Sequence, residues 1–360
     1  MITVSLCMIV KNEERVLERV LRCAAQICDE LIVVDTGSTD KTIEIARKYS
    51  EKVRFFEWID DFSAARNYSF SLAGMDYILW LDADDVIDAE NIRKFAALKE
   101  TLPADTDVVM MNYETAFDAG GRPACSYYRE RLIKRGRGFV WQDPVHEVIT
   151  PAGKIVYSDI AVRHQKIGNG SAGRNLAIYE KLIRTGRTLS ARQRFYYARE
   201  LMYNGDKETA AREFYGFLAL KDAWVENKIS ACLDLSECLL SQNLRADALA
   251  ALLQSFEYGL PRAEILCAVG KWFMDAGKYG EAAYWYKLAP QCDKNGSKQN
   301  FVAPDCYDFI PYLQLCVCYD RLGDKTEAAR WNRKAGKIKP ADPAYLHNKN
   351  YFEADKESEK

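Results

Sequence analysis

The first 115 residues alternate between short apolar runs and segments whose apolar side chains recur with helical spacing. Apolar runs bounded by turn residues predict buried strands, and the helical spacing predicts amphipathic helices. Alternating strands and helices imply a mostly parallel sheet with helices on both faces. The predicted strands are residues 3–10, 30–34, 53–58, 77–81, 107–113, 127–134 and 155–164, and the predicted helices are residues 14–24, 41–49, 63–72 and 86–98.

From about residue 175 the pattern becomes helical and repetitive. A glycine, or in one case an asparagine, stands five residues before an alanine at four places, which are 38, 34 and 46 residues apart. Glycine or asparagine suits the left-handed turn between two helices, and alanine allows the second helix to approach closely. This resembles about four tetratricopeptide repeats with an insertion at 290–311. The four pairs are Gly205–Ala210, Asn243–Ala248, Gly277–Ala282 and Gly323–Ala328.

The change of pattern predicts two domains, as expected for a chain of 360 residues. We expect an α/β domain at 1–167 and a helical-repeat domain at 191–345. Residues 168–190, which begin with a glycine-rich stretch, are predicted to form a hinge and a first helix. Residues 346–360 are predicted to be a polar tail. A helical solenoid exposes a concave face that commonly receives peptides or partner helices.

Composition is that of an ordinary globular protein, with 48% apolar residues and a formal net charge of −2. This charge gives no sign of a nucleic-acid partner. The ten apolar residues at the start lack the flanks of a signal peptide, and no later run approaches the roughly 20 residues of a membrane span. The 11 cysteines include no Cys-x-x-Cys pair, which favours reduced thiols and a cytoplasmic location.

The strand predicted at 77–81 runs directly into acidic residues, namely Asp82, Asp84 and Asp85. Ligands bind at the carboxyl ends of strands in open α/β sheets. Clustered carboxylates repel one another unless a cation neutralises them, and hard divalent cations prefer oxygen ligands. The pattern predicts Mg²⁺ or Mn²⁺ holding a diphosphate. An equally good interpretation from these residues alone is an acidic cap on the helix at 86–98.

Four segments in this order resemble the motifs of family 2 glycosyltransferases of the GT-A fold, over about residues 1–165. They are the first strand and its loop (5–14), the end of the second strand (34–42), the Ala-Arg-Asn of residues 65–67, and the Asp-x-Asp of residues 81–85. The resemblance implies an α/β GT-A domain with a Rossmann-like mixed sheet, followed here by the all-α repeats.

The resemblance also implies roles for individual residues. Asp84 is expected to bind Mg²⁺ or Mn²⁺, and Asp82 the ribose or the metal. Asp35 is expected to contact the nucleotide base; a turn within its own loop is the alternative. Arg66 offers donors to anionic oxygens, or is simply a surface charge. The residues expected to contact the donor are Val10, Asn12, Glu13, Asp35, Arg66, Asp82 and Ala83.

Residues 141–147 resemble the Val-His-Glu motif of a bacterial branch of this family that includes lipopolysaccharide-core and peptide-modifying transferases. An inverting displacement needs a base to deprotonate the acceptor. Glu147 is the first candidate and Asp143 the second. The family's usual Glu-Asp pair is missing between residues 107 and 168, which leaves the base open. His164 resembles a C-terminal histidine that some GT-A enzymes use as a metal ligand; a core or turn histidine is the alternative.

Together these features predict an inverting, metal-dependent glycosyltransferase of the hexosyl or N-acetylhexosaminyl class. The expected donor is a UDP-sugar and the expected acceptor is a serine, threonine or cysteine of a peptide or protein. The arrangement of domains resembles bacteriocin-type peptide S- or O-glycosyltransferases. One alternative is transfer to a cell-envelope polysaccharide or lipid-linked glycan, with the repeats forming a homodimer. Another is an interaction scaffold with an inactive GT-A domain.

Overall fold

The computed structural model of this chain describes residues 1–117, 120–165, 167, 173–293 and 302–358, with side chains to residue 354. Contacts divide the chain into two compact units. The first comprises Met1–Ala116 and Ser126–Arg187, and the second comprises Phe117–Cys125 and Thr188–Lys360. Most of the glycine-rich stretch predicted to be a hinge, residues 168–172, lies outside the described residues.

An eight-stranded mixed sheet forms the centre of the first unit, in the order β3-β2-β1-β4-β7-β6-β8-β5. Strands β1, β2, β3 and β4 pair in parallel, whereas β7 is antiparallel to β4 and β5 is antiparallel to β8. The strands are β1 Val4–Val10, β2 Glu30–Asp35, β3 Lys52–Phe55, β4 Tyr77–Trp80, β5 Asp85–Val86, β6 Val108–Phe117, β7 Pro123–Lys134 and β8 Ile155–His164.

Both faces of this sheet are covered, as the apolar strand sequences require. On β1, Leu6 and Met8 point into one apolar cluster, while the intervening Cys7 joins a second cluster on the opposite face. The second cluster contains Trp80 and Trp141 with their rings in an edge contact at 4.8 Å. The helices of this unit are α1 Leu17–Ala24, α2 Thr42–Arg47, α3 Phe62–Ser71, α4 Ala89–Thr101 and α5 Arg174–Arg184.

The region after the acidic residues differs from the prediction of a helix at 86–98. Residues Asp85–Val86 form β5, which pairs with the end of β8, and the helix begins only at Ala89. Its cap is Asp88, whose Oδ1 accepts a hydrogen bond from the Asn91 backbone at 2.9 Å. The interpretation of Asp82, Asp84 and Asp85 as the cap of this helix is therefore wrong. These three carboxylates make contacts elsewhere, which are described with the candidate active site.

The second unit is built mainly of helices in successive pairs. The pairs are α6–α7, α8–α9, α10–α11 and α12–α13, followed by α14. Helix α14 covers most of the segment predicted to be a polar tail. The helices are α6 Ala191–Tyr203, α7 Lys207–Leu218, α8 Val225–Ser241, α9 Arg245–Gln254, α10 Ala263–Asp275, α11 Tyr279–Leu288, α12 Phe309–Arg321, α13 Lys325–Ile338 and α14 Pro343–Ser358.

Each predicted turn residue lies between the two helices of a pair and has a positive φ angle: Gly205 95°, Asn243 62°, Gly277 72° and Gly323 84°. The alanine five residues later is fully buried in every pair. The predicted fold class, an α/β domain with a mixed sheet followed by an all-α repeat domain, is confirmed. The predicted insertion at 290–311 includes residues 294–301, which lie outside the described residues.

Within the described part of the chain, no helix combines the length and the apolar character needed to cross a membrane. All eleven cysteines carry free thiols.

The turn geometry predicts different outcomes for substitutions at two glycines that are three positions apart, Gly277 and Gly280. A Cβ at Gly277 would meet no atom within 4 Å, so Gly277→Ala is opposed only by its φ of 72°. We expect it to lower the free energy of unfolding of the helical unit by about 1–2 kcal/mol. Gly280→Ala is the matched control, since it also meets no atom within 4 Å but lies in helix α11 without a positive φ. It should be neutral or stabilising by up to about 1 kcal/mol. Urea unfolding followed by circular dichroism measures both, and equal losses would contradict the assigned turn.

Candidate active site

A cavity of about 410 Å³ lies where β1, β2 and β4 end in parallel. Its wall includes Val10 from the end of β1, Thr36 after β2, and Trp80 at the end of β4. Because parallel strands bring their carboxyl ends to one edge of the sheet, the motifs predicted at the ends of these three strands meet here. Of the residues predicted for the site, the cavity is lined by Val10, Glu13, Arg66, Asp82, Ala83, Asp84 and Glu147.

The acidic residues after β4 form a tight turn. The Asp85 backbone donates to the Asp82 carbonyl at 3.1 Å, and the Asp82 backbone donates to Asp85 Oδ2 at 2.9 Å. Asp85 is fully buried and forms an ion pair with the equally buried Arg131, 2.9 Å from Oδ2 to Nη1. The turn thus directs Asp85 into the protein while Asp82 and Asp84 reach the cavity.

Asp84, Asp85 and His164 place one ligand atom each within 4.8 Å of the others. His164 Nδ1 lies 3.3 Å from Asp84 Oδ1, 3.7 Å from Asp85 Oδ1 and 3.0 Å from the Tyr113 hydroxyl. The contact with Asp84, and then that with Asp85, raises the pKa of His164 to about 10. The buried Asp85 Oδ1 has no hydrogen-bond partner among the described residues. Two carboxylates and an imidazole suit a divalent cation, which takes the place of the His164 proton when it binds.

Asp82 is held apart from this group by an ion pair with Arg66, 2.6 Å from Oδ1 to Nη2. Burial alone would raise the pKa of Asp82, but the charges of Arg66 and Arg131 outweigh it and lower the value to about 2. The sequence placed Asp82 among the metal ligands with Asp84 and His164 and gave Asp85 no role. The structure groups Asp85 with Asp84 and His164, so a metal contact by Asp82 stays a prediction.

Arg66 joins the acidic turn to the predicted catalytic loop. Its Nε donates to Glu147 Oε1 at 2.6 Å, while Nη2 holds Asp82. The guanidinium also lies over the ring of Trp141 at 4.8 Å. Burial opposes its charged form, yet the two carboxylates raise the pKa of Arg66. The side chain is 10% exposed, so the interpretation of Arg66 as a surface charge is wrong.

The side chain of Asn67 holds the backbone of the same loop. Its side-chain amide donates to the Trp141 carbonyl at 2.9 Å and accepts from the Trp141 backbone N–H at 2.8 Å. The first residue of α3, Phe62, donates from its backbone to the Pro144 carbonyl at 2.8 Å. These contacts place His146 and Glu147 at the wall of the cavity. Asp143, the second candidate base, has a φ of 71° and is not among the residues that line it.

The predicted nucleotide-contacting residues have two kinds of surroundings. Val10, Glu13 and Ala83 line the cavity, whereas Asn12 and Asp35 are not among the lining residues. Asn12 joins the loops after β1 and β2, since its Oδ1 accepts from the Thr39 backbone at 2.8 Å.

Asp35, at 2% exposure, accepts from the backbone of Gly37 at 2.9 Å and of Ser38 at 3.0 Å. This is the turn within its own loop that the sequence offered as an alternative, and the base contact stays a prediction. Burial, followed by the charges of Asp84, Asp40 and Asp82, raises the pKa of Glu13 to about 7.

Sequence reasoning missed Arg129 and Arg131, which lie two residues apart in β7. Both guanidinium groups lie over the indole of Trp80, at 4.8 Å for Arg129 and 3.8 Å for Arg131. Residues two apart on a strand share one face. The sequence did contain a signal for these residues, namely two arginines on one face of a strand predicted to lie in the sheet. A buried arginine requires a carboxylate partner, so the pair indicated carboxylates nearby.

Comparison with known proteins places the first unit in a family. Residues 5–154 match the family model described as glycosyl transferase family 2. The N-terminal domain is a family 2 glycosyltransferase domain. The matched segment begins in β1 and ends just before β8, so it contains the acidic turn, Arg66 and Glu147 but not His164.

Two curated relatives illustrate the range of similarity. A TPR repeat-containing protein of Synechococcus elongatus is 38% identical over 150 residues, which is 41% of this chain and 36% of the relative. The SPbeta prophage-derived glycosyltransferase SunS of Bacillus subtilis is 31% identical over 102 residues, which is 28% of this chain and 24% of the relative. The matches thus span about a third or less of these relatives.

Comparison with solved structures gives low TM-scores. A crystal structure of S. aureus TarS 1-349 has a TM-score of 0.36 at 17% identity and covers 71% of this chain and 88% of its own. MamA from Desulfovibrio magneticus RS-1 has a TM-score of 0.39 at 17% identity and covers 48% of this chain and 89% of its own. The fold assignment therefore rests on the sheet order and on the helix pairs described above.

Proposed function

We propose that this chain is an inverting, metal-dependent glycosyltransferase whose donor is a nucleoside-diphosphate sugar, with UDP as the expected nucleotide. The observation that carries the proposal is the group formed by Asp84, Asp85 and His164 beside a cavity in a family 2 glycosyltransferase domain. When bound, Mg²⁺ or Mn²⁺ would be held by these residues and would stabilise the negative charge of the departing diphosphate.

The residues of the chain supply the remaining requirements of the reaction. The bond between the anomeric carbon and the diphosphate oxygen breaks, and a bond from that carbon to the acceptor oxygen or sulfur forms on the opposite face. The acceptor proton passes to a carboxylate oxygen of Glu147, which lines the cavity while Arg66 holds its Oε1. Glu147 is favoured over Asp143 because a base must lie within hydrogen-bond reach of the proton it removes.

We further propose a peptide or protein acceptor, recognised by the helical repeats. Paired helices of this kind expose an extended groove suited to a polypeptide. Transfer to a cell-envelope or lipid-linked glycan is the competing function within the same reaction class. A role for the repeats in forming a homodimer is compatible with either acceptor.

Removing Asp84 should abolish donor binding that depends on metal. In Asp84→Ala the candidate ion loses a carboxylate that faces the cavity, and we expect loss of measurable turnover, including hydrolysis of the donor. The melting temperature should change little, because loss of one of several clustered carboxylates relieves repulsion. Calorimetric titration of UDP, with Mn²⁺ and then with EDTA, measures the binding.

Asp159→Ala is the matched control, since Asp159 is a carboxylate on the same strand as His164 but its side chain is 80% exposed. It should bind UDP and turn over like the wild type. Binding of UDP that is unaffected by EDTA and by Asp84→Ala would refute metal dependence.

Replacing Glu147 should affect the chemical step and leave donor binding intact. Glutamine keeps an oxygen that accepts from Arg66 Nε but cannot take a proton. We expect kcat to fall on the order of 10²–10⁴-fold with the dissociation constant of UDP little changed. Asp143→Asn is the control and should retain most of the activity; the opposite pattern would assign the base to Asp143.

The acceptor class is tested by supplying pairs of peptides to the full chain with a UDP-sugar and Mn²⁺. Each pair should match except that serine, threonine and cysteine in one member are alanine in the other. We expect a mass increase of one sugar only on the member with the nucleophilic side chain. Transfer to lipid-linked or polysaccharide acceptors without transfer to any peptide would support the competing function, and light scattering would report whether the protein is a dimer.

A further inference from the structure

Arg131 is a fully buried charged residue near the site that has no part in the mechanism above. It lies within β7, is fully buried, and faces the equally buried Asp85 at 2.9 Å. Its Nη1 also donates to the Trp80 carbonyl at 3.1 Å. The guanidinium lies between two rings, 3.8 Å from the centre of Trp80 and 4.3 Å from that of Tyr113.

A contribution to the stability of the fold does not by itself explain the buried pair of Arg131 and Asp85. Two nitrogens of Arg131, Nε and Nη2, are buried without a hydrogen-bond partner among the described residues. A buried ion pair with unsatisfied donors is commonly no more stabilising than apolar side chains of similar volume. The pair therefore calls for a role beyond holding the sheet together.

The two oxygens of Asp85 have different environments, and this difference indicates the role. Oδ2 is held from two sides, by Arg131 Nη1 and by the Asp82 backbone N–H. Oδ1 is buried without a hydrogen bond and lies 3.7 Å from His164 Nδ1. A carboxylate held at one oxygen presents the other in a single direction, here toward Asp84 and His164.

We propose that Arg131 is a positioning residue that fixes Asp85 as the third protein ligand of the divalent cation, together with Asp84 and His164. The inference rests on the proposed metal-dependent function. Partners of this kind, which hydrogen-bond to a ligand but do not touch the ion, set the orientation of the ligand. Arg131 reaches the ion only through Asp85.

The test is the dissociation constant of Mn²⁺ alone, measured calorimetrically on the full chain without nucleotide. We expect Asp85→Asn to weaken Mn²⁺ binding about 10–100-fold, and Arg131→Met to weaken it by a similar factor. The double variant should bind no more weakly than Asp85→Asn, because Arg131 acts through Asp85. Arg137→Met is the matched control: it also removes an arginine paired with a carboxylate of the same unit, Asp107 at 2.8 Å, but Arg137 does not line the cavity, and Mn²⁺ affinity should not change.

If Arg131→Met fails to fold, Arg131→Lys retains the charge but presents a single ammonium in place of the planar fork. Arg131→Lys should bind Mn²⁺ more weakly than the wild type. In the Asp85→Asn background, adding Arg131→Lys should not weaken Mn²⁺ binding any further. Wild-type Mn²⁺ affinity in Asp85→Asn would overturn the inference and leave the proposed metal dependence standing. So would an Arg131 effect of equal size with and without Asp85. Absence of Mn²⁺ binding by the wild-type chain would overturn the proposed metal dependence and this inference together.

Discussion

Charge compensation at one edge of the sheet is the constraint that organises the site. Carboxylates from three segments of the chain reach the cavity at this edge, and like charges held so closely are costly without cations nearby. Two buried arginines reduce that cost, Arg66 between Asp82 and Glu147 and Arg131 against Asp85. Arginine suits both positions because its planar group donates in several directions and stacks on aromatic rings. Trp80 provides such a ring for both of them.

This compensation also connects parts of the chain that are distant in sequence. Arg66 comes from helix α3, Asp82 from the turn after β4, and Glu147 from the loop that Asn67 holds at Trp141. Neighbouring residues of one helix, Arg66 and Asn67, thus hold the side chain and the backbone of the same loop. Arg66 and Asn67 of the Ala-Arg-Asn motif thus have a structural role in this loop, and the contact of Arg66 with the donor stays a prediction.

Features that depend on local pattern could be predicted from the sequence. Strand β8 was predicted at its observed bounds, and the four turn residues between helix pairs have the positive φ angles that their residue types suggest. The acidic turn could not be resolved in this way. The helix predicted from residue 86 begins at Ala89 because Asp85 is drawn into an ion pair with Arg131 and into pairing with β8. Both partners are far away in sequence, and no local propensity encodes them.

The shared position of Arg66 means that donor and acceptor chemistry cannot be separated cleanly at this residue. Its Nη2 donates a hydrogen bond to Asp82, a residue of the predicted donor-binding motifs. Its Nε donates a hydrogen bond to Glu147, the candidate base. Any change that draws the guanidinium toward one carboxylate leaves the other less well compensated in a largely buried site. The effects of substitutions at Asp82 and Glu147 should therefore not be additive, because residues that share one partner are coupled. A change in turnover caused by substituting Arg66 would therefore reflect both carboxylates at once. Substitutions of Asp82 and of Glu147 are needed to assign that change to donor binding or to deprotonation of the acceptor.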